Sequence, residues 1–265
     1  MDKRFTEIFA KEPDKIIDGA YYYFTYHNEN LSDEVKQELE NKAENLLGLE
    51  EPVYVPSVFK VNWEERSRDD CNPFGLWHEI YGTGEISEGL SEMNEIFVKM
   101  ARENKPFIDI GSGISWGLIP FIAKHNPQIP CMVTDVNEPF MKSLRGFLKN
   151  NLIDYNISAA CFDNHDMPIK DNSLDYVTST NGIAGGDYYG DSDAEKQVSE
   201  VYRILKPGGC YVTISNSEMY GRFMAADFMA EFKYSLWHEK FVAAGSPTEI
   251  EHYNAYNFYV LRKVI

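Results

Sequence analysis

The chain has 265 residues, 42 of them acidic and 25 basic, for a formal net charge of −17. A surface of that sign repels phosphate backbones and so disfavours DNA and RNA as partners. Its 43% hydrophobic and 14% aromatic content supplies a sizeable core and excludes a globally disordered chain.

The amino terminus, Met1-Asp2-Lys3-Arg4, turns polar again at Lys11-Glu12-Pro13-Asp14 and lacks the apolar stretch of a signal peptide. No segment approaches the ~18 apolar residues needed to span a bilayer, so a cytoplasmic protein without a membrane partner is expected. Residues 21–26 hold five aromatics: Tyr21, Tyr22, Tyr23, Phe24 and Tyr26. Two readings of them stay open, a packing surface against the core or a cap over a ligand pocket, joined by Trp63, Trp77 and Tyr81. Ser32 is a fitting N-cap for a helix carrying Val35, Leu39 and Leu46. Pro52 and Pro56 then break the pattern, and 53–84 has no clear period. Leu90, Met93, Ile96, Phe97 and Met100 mark one face of a second helix. The expected division is a mostly helical cap over 1–85 and a second domain over 86–265.

From Pro106 strands alternate with helices. Phe107-Ile108-Asp109-Ile110 and Cys131-Met132-Val133-Thr134-Asp135 read as strands, and Phe140, Met141, Leu144, Phe147 and Leu148 as a helix face. Residues 157–162, 174–179 and 211–215 read as further strands, with a helix carrying Val198, Val201, Tyr202 and Leu205. That alternation implies a doubly wound α/β sheet, mostly parallel. The tail over 250–264, with Asn254 and Asn257 for a turn, reads as an antiparallel strand pair closing the sheet edge.

Three runs carry chemistry. Asp109-Ile110-Gly111-Ser112-Gly113-Ile114-Ser115-Trp116-Gly117 spans a strand end and opens a helix. Its glycines let the backbone turn sharply and approach a ligand closely. A dinucleotide fingerprint would need glycine where Trp116 stands, and an indole contradicts the packing reason for that glycine. Asp135 ends the second strand, with Val136 beside it, where an acid can accept from ribose hydroxyls. The third run is Asp163-Asn164-His165-Asp166-Met167-Pro168, followed by Asn172-Ser173-Leu174-Asp175-Tyr176-Val177.

With that run and Glu200-Val201-Tyr202-Arg203-Ile204-Leu205-Lys206-Pro207-Gly208-Gly209, the chain resembles the class I S-adenosylmethionine-dependent methyltransferases that act on small molecules. The resemblance covers roughly 86–215 and implies a Rossmann-like core of seven strands, mostly parallel, with an antiparallel carboxyl-terminal edge. It implies S-adenosyl-L-methionine as cofactor, bordered by Gly111, Ser112 and Gly113, with Asp109 near its amino group. Asp135 and Val136 would hold the ribose, Asp163 would accept from the adenine amino group, and the Asn164 backbone would meet the ring edge. Ser179 to Asn181 would lie near the transferring methyl. The family's usual third glycine is Ser115 in this chain, and Trp116 is unusually large there.

An activated methyl needs little beyond positioning and exclusion of water. Should a base be needed, His78 and Tyr81 are the candidates, ahead of His165, and Asn181 is a further catalytic candidate beside the methyl. The expected acceptor is a small molecule. Two alternatives stay open: a protein side chain as acceptor, or a regulator that binds the cofactor without catalysis. The four cysteines, Cys71, Cys131, Cys161 and Cys210, form no C-x-x-C pair and read as reduced, packed thiols, with no metal expected.

Overall fold

The computed structural model describes residues 3–17, 19–23, 88–112, 117–136, 141, 156–180, 182–183, 191–216, 219–236 and 256–264. They build one nine-stranded sheet in the order β1-β2-β5-β4-β3-β6-β7-β9-β8. The strands are β1 (Lys15–Ile17), β2 (Ala20–Tyr22), β3 (Phe107–Ile110), β4 (Cys131–Asp135), β5 (Ile157–Cys161), β6 (Leu174–Thr180), β7 (Leu205–Asn216), β8 (Phe228–Leu236) and β9 (Tyr256–Lys263). The helices are α1 (Lys3–Thr6), α2 (Glu88–Glu103), α3 (Ile119–Ala123), α4 (Asp191–Ile204) and α5 (Met219–Ala225).

From β2 to β7 every neighbour is parallel, and antiparallel pairs stand only at the two edges. Every residue of β3 and β4 is buried, as a parallel sheet covered on both faces requires. On one face Met93, Phe97 and Met100 of α2 join Phe121 of α3 against Phe107, Val133, Val212 and Phe258. Phe97 stacks on Phe121 and meets Phe258 edge-on, so the stripe expected on α2 faces the core. On the other face Ala194, Val198, Val201 and Ile204 of α4 pack on Ile108, Ile110, Val177, Tyr211 and Leu261.

The structure corrects the reading at both ends of the chain. The sheet has two strands more than the expected seven, both from the amino terminus. β1 and β2 form a hairpin in which Ile17 faces Ala20, with Gly19 at φ 80° completing a two-residue turn. Residues 15–22 therefore belong to the sheet and not to a helical cap; β2 pairs with β5 through Tyr21 opposite Ala160 and Tyr22 opposite Cys161. Residues 24–87 lie outside the described residues, and with them Phe24, Tyr26, Trp63, Trp77 and the helix expected after Ser32.

The described part of the tail, 256–264, holds one strand and no turn at Asn257. β9 pairs with β7 and β8, and Asn257 is buried inside it opposite Ser215 and Ser235. Residues 206–209 form a bulge within β7. Pairing advances from Leu174 opposite Leu205 to Tyr176 opposite Cys210, and Gly208 takes φ 76°. Cys131, Cys161 and Cys210 are buried thiols outside any disulfide, as expected; Cys71 lies outside the described residues.

Candidate active site

A doubly wound sheet binds ligands outside the carboxyl ends of its strands, where the loops after β3, β4, β5 and β6 gather. At the end of β3, Asp109 is completely buried. Its Oδ2 accepts from Thr178 Oγ1 at 2.5 Å and from the Leu118 backbone N–H at 3.1 Å, and its Oδ1 accepts from Ser112 Oγ at 2.8 Å. Burial pushes its carboxyl up to about 6, against the opposing pull of those three donors. Asp109 thus ties the glycine turn to β6 and to the start of α3. Gly117, at φ 53°, completes the arrangement, because a Cβ there would overlap the Asp109 carboxylate. The glycine that stands late for a dinucleotide fingerprint is the one that leaves room for the acid.

Ser112 stitches the same turn to β4. Its backbone N–H donates to the Thr134 carbonyl at 2.8 Å, and its Oγ accepts from the Thr134 N–H at 3.3 Å. Thr134 Oγ1 returns a bond to the Asp109 carbonyl at 3.0 Å. Asp135 and Val136 follow at the end of β4, the acid 8% exposed and the valine half-buried. At the end of β5, Asp163 Oδ1 accepts from the His165 N–H at 2.8 Å and lies 2.6 Å from His165 Nδ1. Asn164 donates from Nδ2 to the Gly182 carbonyl at 3.0 Å, joining the β5 loop to the β6 loop.

Gly182 also closes on the first loop. A Cβ on Gly111, at φ 59°, would come 2.5 Å from Gly182 Cα, and a Cβ on Gly182 would overlap the Ile110 carbonyl. Two backbones therefore touch with no room for a side chain on either. Gly182 was missed in the sequence; its signal was a place among the glycines after the fourth core strand, but its partner is visible only in three dimensions.

The run from Glu200 to Gly209 explains how the β5 loop is held. Arg203 of α4 donates from Nε to Glu200 Oε1, from Nη1 to the Ile169 carbonyl and Asp171 Oδ1, and from Nη2 to the Met167 carbonyl and Glu200 Oε2, all within 2.9 Å. Glu200 Oε2 in turn accepts from the Met167 N–H at 2.9 Å. All five guanidinium donors are used, and the charged partners raise the Arg203 pKa further. From the opposite side the amino-terminal segment binds the same loop, Ala10 N–H to the Pro168 carbonyl and Lys170 N–H to the Ile8 carbonyl.

Of the residues singled out from the sequence, Asp109, Gly111, Ser112, Asp135, Val136, Asp163 and Asn164 meet along the carboxyl ends of β3, β4 and β5. Ser179 sits near the end of β6 but is fully buried, its Oγ 2.6 Å from Tyr211 Oη and 2.7 Å from Thr213 Oγ1. Gly113, His78, Tyr81 and Asn181 lie outside the described residues. Among the described residues no group of acids, histidines and cysteines could hold a metal.

The chemistry of this edge fits an adenosine cofactor. Asn164 Oδ1 is buried without a hydrogen-bond partner, an acceptor suited to an amino group such as that of adenine. Asp135 and Asp163 place two acceptor side chains at the ends of adjacent strands, suited to the hydroxyl and amino donors of a nucleoside. The touching backbones at Gly111 and Gly182 allow a ligand to approach main-chain atoms directly.

Comparison with known proteins agrees. The model of the ubiE/COQ5 methyltransferase family matches residues 92–260. The chain is 26% identical over 139 residues to the ubiquinone/menaquinone biosynthesis C-methyltransferase UbiE of Rickettsia prowazekii, covering 51% of this chain and 54% of that protein. It is 29% identical over 119 residues to the mitochondrial 2-methoxy-6-polyprenyl-1,4-benzoquinol methylase of Caenorhabditis elegans, covering 44% and 39%. The chain thus spans about half or less of the length of these relatives. A solved structure similar to it is a SAM-dependent methyltransferase of Methanosarcina mazei, at 12% identity and a TM-score of 0.49, covering 64% of this chain and 97% of that one. The chain belongs to the ubiE/COQ5 methyltransferase family, and its cofactor is S-adenosyl-L-methionine.

Proposed function

We propose that this protein transfers the methyl group of S-adenosyl-L-methionine to a small-molecule acceptor, and that the first acceptors to test are reduced quinone rings. The observation that carries the reading is the joined edge of β3, β5 and β6. Gly111 meets Gly182, and Asn164 bonds Gly182, inside a chain segment that matches the family. The relatives' names supply the quinol, a ring carbon made nucleophilic by its hydroxyls.

When bound, the cofactor supplies an already activated methyl. In this reading Asp135 and Val136 hold its ribose, Asp163 and Asn164 its adenine, and the turn from Gly111 to Gly113 its methionine end. Asp109, Ser112 and Ser179 support those loops from beneath. His78 and Tyr81 are the candidate bases for the proton that the ring carbon loses. Asn181 is assigned to the methyl.

The test is turnover. Purified protein, labelled cofactor and a demethylated benzoquinol or naphthoquinol should give labelled methylquinol and S-adenosylhomocysteine in equal amounts. Labelling of a basic protein or peptide, with none of the quinols, would move the acceptor to a side chain. Binding of S-adenosylhomocysteine without turnover in cell extract would make the chain a cofactor-binding regulator.

A further inference from the structure

Helix α4 presents Gln197, Glu200 and Arg203 at three-residue spacing, one row facing the loop over 163–171. Glu200 and Arg203 hold the far part of that loop. Gln197, only 4% exposed, reaches the near part: its Nε2 lies 3.3 Å from His165 Nε2. The His165 side chain is 14% exposed and that of Asp163 10%. A carboxylate only accepts, so His165 Nδ1, 2.6 Å from Asp163 Oδ1, carries a proton. The Gln197 amide meets the ring's other nitrogen, Nε2, so the imidazole is held at both nitrogens. The His165 backbone N–H adds a second bond to the same oxygen at 2.8 Å. Asp163 Oδ1 is thus gripped twice by one residue, and the rotation of its carboxylate is set by a ring that α4 holds from behind.

We propose that His165 is a positioning residue for the cofactor. Held by Gln197, it fixes the Asp163 carboxylate in the orientation in which it accepts from the bound adenine. This rests on the reading of Asp163 given above. It gives a role to the histidine beside the adenine motif, and it extends the grip of α4 from Met167 and Ile169 to the near part of the loop.

The two ring nitrogens can be replaced separately. Asparagine places its amide nitrogen near the Nδ1 position and keeps the bond to Asp163. Glutamine places its amide near the Nε2 position and keeps only the contact with Gln197. Calorimetric titration with S-adenosylhomocysteine should show His165→Asn weakened no more than about twofold and His165→Gln weakened about tenfold, as for loss of a hydrogen bond to a charged group. Asp163→Asn should weaken binding by about tenfold or more. Thermal melting without ligand should not separate the two histidine variants. Equal affinity of His165→Asn and His165→Gln, with Asp163→Asn weakened, would overturn the role of His165 and leave that of Asp163 standing. Wild-type affinity in Asp163→Asn would overturn the Asp163 reading, and this inference with it. If His165→Gln does not fold, Gln197→Leu carries the test: weaker binding supports the proposal, and wild-type affinity overturns it.

Discussion

Gly117 stands directly against the Asp109 carboxylate, at a φ of 53° and with no room for a Cβ. Gly117→Ala should therefore combine the cost of a left-handed alanine with displacement of the buried acid. The expected loss is about 2 kcal/mol or more of unfolding free energy, with cofactor binding weakened as the turn loses its anchor. Denaturant unfolding measures the first effect and calorimetry the second. Wild-type stability in Gly117→Ala would mean that the turn does not depend on this contact.

The same acid gives a pH signature. Burial raises Asp109 from the usual carboxylate range to about 6 in the folded chain. Its contribution is fully present below the unfolded value of about 4 and is lost as pH rises through about 6, because only the folded state disfavours the charge. The lost stability is about 3 kcal/mol across that window. Asp175 pulls the other way. Burial alone would raise it, but its bonds to Lys206 and Lys105 win and lower it, so its contribution is lost as pH falls. The difference between wild type and Asp109→Asn isolates the first group: the variant should lack the fall in stability between pH 4 and pH 6 or so. Parallel curves for the two proteins would contradict the assignment.

Arg203 should show what a fully used guanidinium fork does for a loop. Lysine keeps the charge but cannot bond Glu200, Asp171 and two carbonyls at once. Arg203→Lys is expected to lose about 2 kcal/mol of stability. Its affinity for S-adenosylhomocysteine should fall as well, because the loop over 163–171 loosens. Hydrogen exchange at the Met167 and Lys170 amides should accelerate in the variant. Unchanged exchange there would show that the amino-terminal segment alone holds the loop.

Much of the core was legible because its strands are short apolar runs with clear ends. β3 stops at Gly111, β4 at Asp135, and neither could be read as helix. Three strands were missed, the two of the amino-terminal hairpin and β8, for different reasons. Asp18-Gly19 is a strong hairpin signal, yet the tyrosines beside it drew attention to their bulk instead of to their place in a strand. Tyr22 and Tyr23 prove to be 1% exposed, with Phe9 stacked on Tyr23 at 5.0 Å. β8 carries an alternating pattern in Phe228, Ala230, Phe232, Tyr234 and Leu236 that the tail's own β-formers overshadowed. The site was legible as far as strand ends go. The contact of Gly182 with Gly111, the bond from Thr178 to Asp109 and the reach of Gln197 to His165 join residues far apart in the chain. No local spacing announces them.

The central claim is that the carboxyl edge of β3, β4 and β5 holds S-adenosyl-L-methionine, with Asp135 on the ribose. It is tested most directly by calorimetric titration of wild type and Asp135→Ala with S-adenosylhomocysteine and with NAD. The account predicts binding of S-adenosylhomocysteine to the wild type and none of NAD. In a folded Asp135→Ala, affinity should fall by about tenfold or more, the loss of about 1–3 kcal/mol that goes with a hydrogen bond to a charged group. Binding of NAD without any response to S-adenosylhomocysteine, or wild-type affinity in Asp135→Ala, would contradict it.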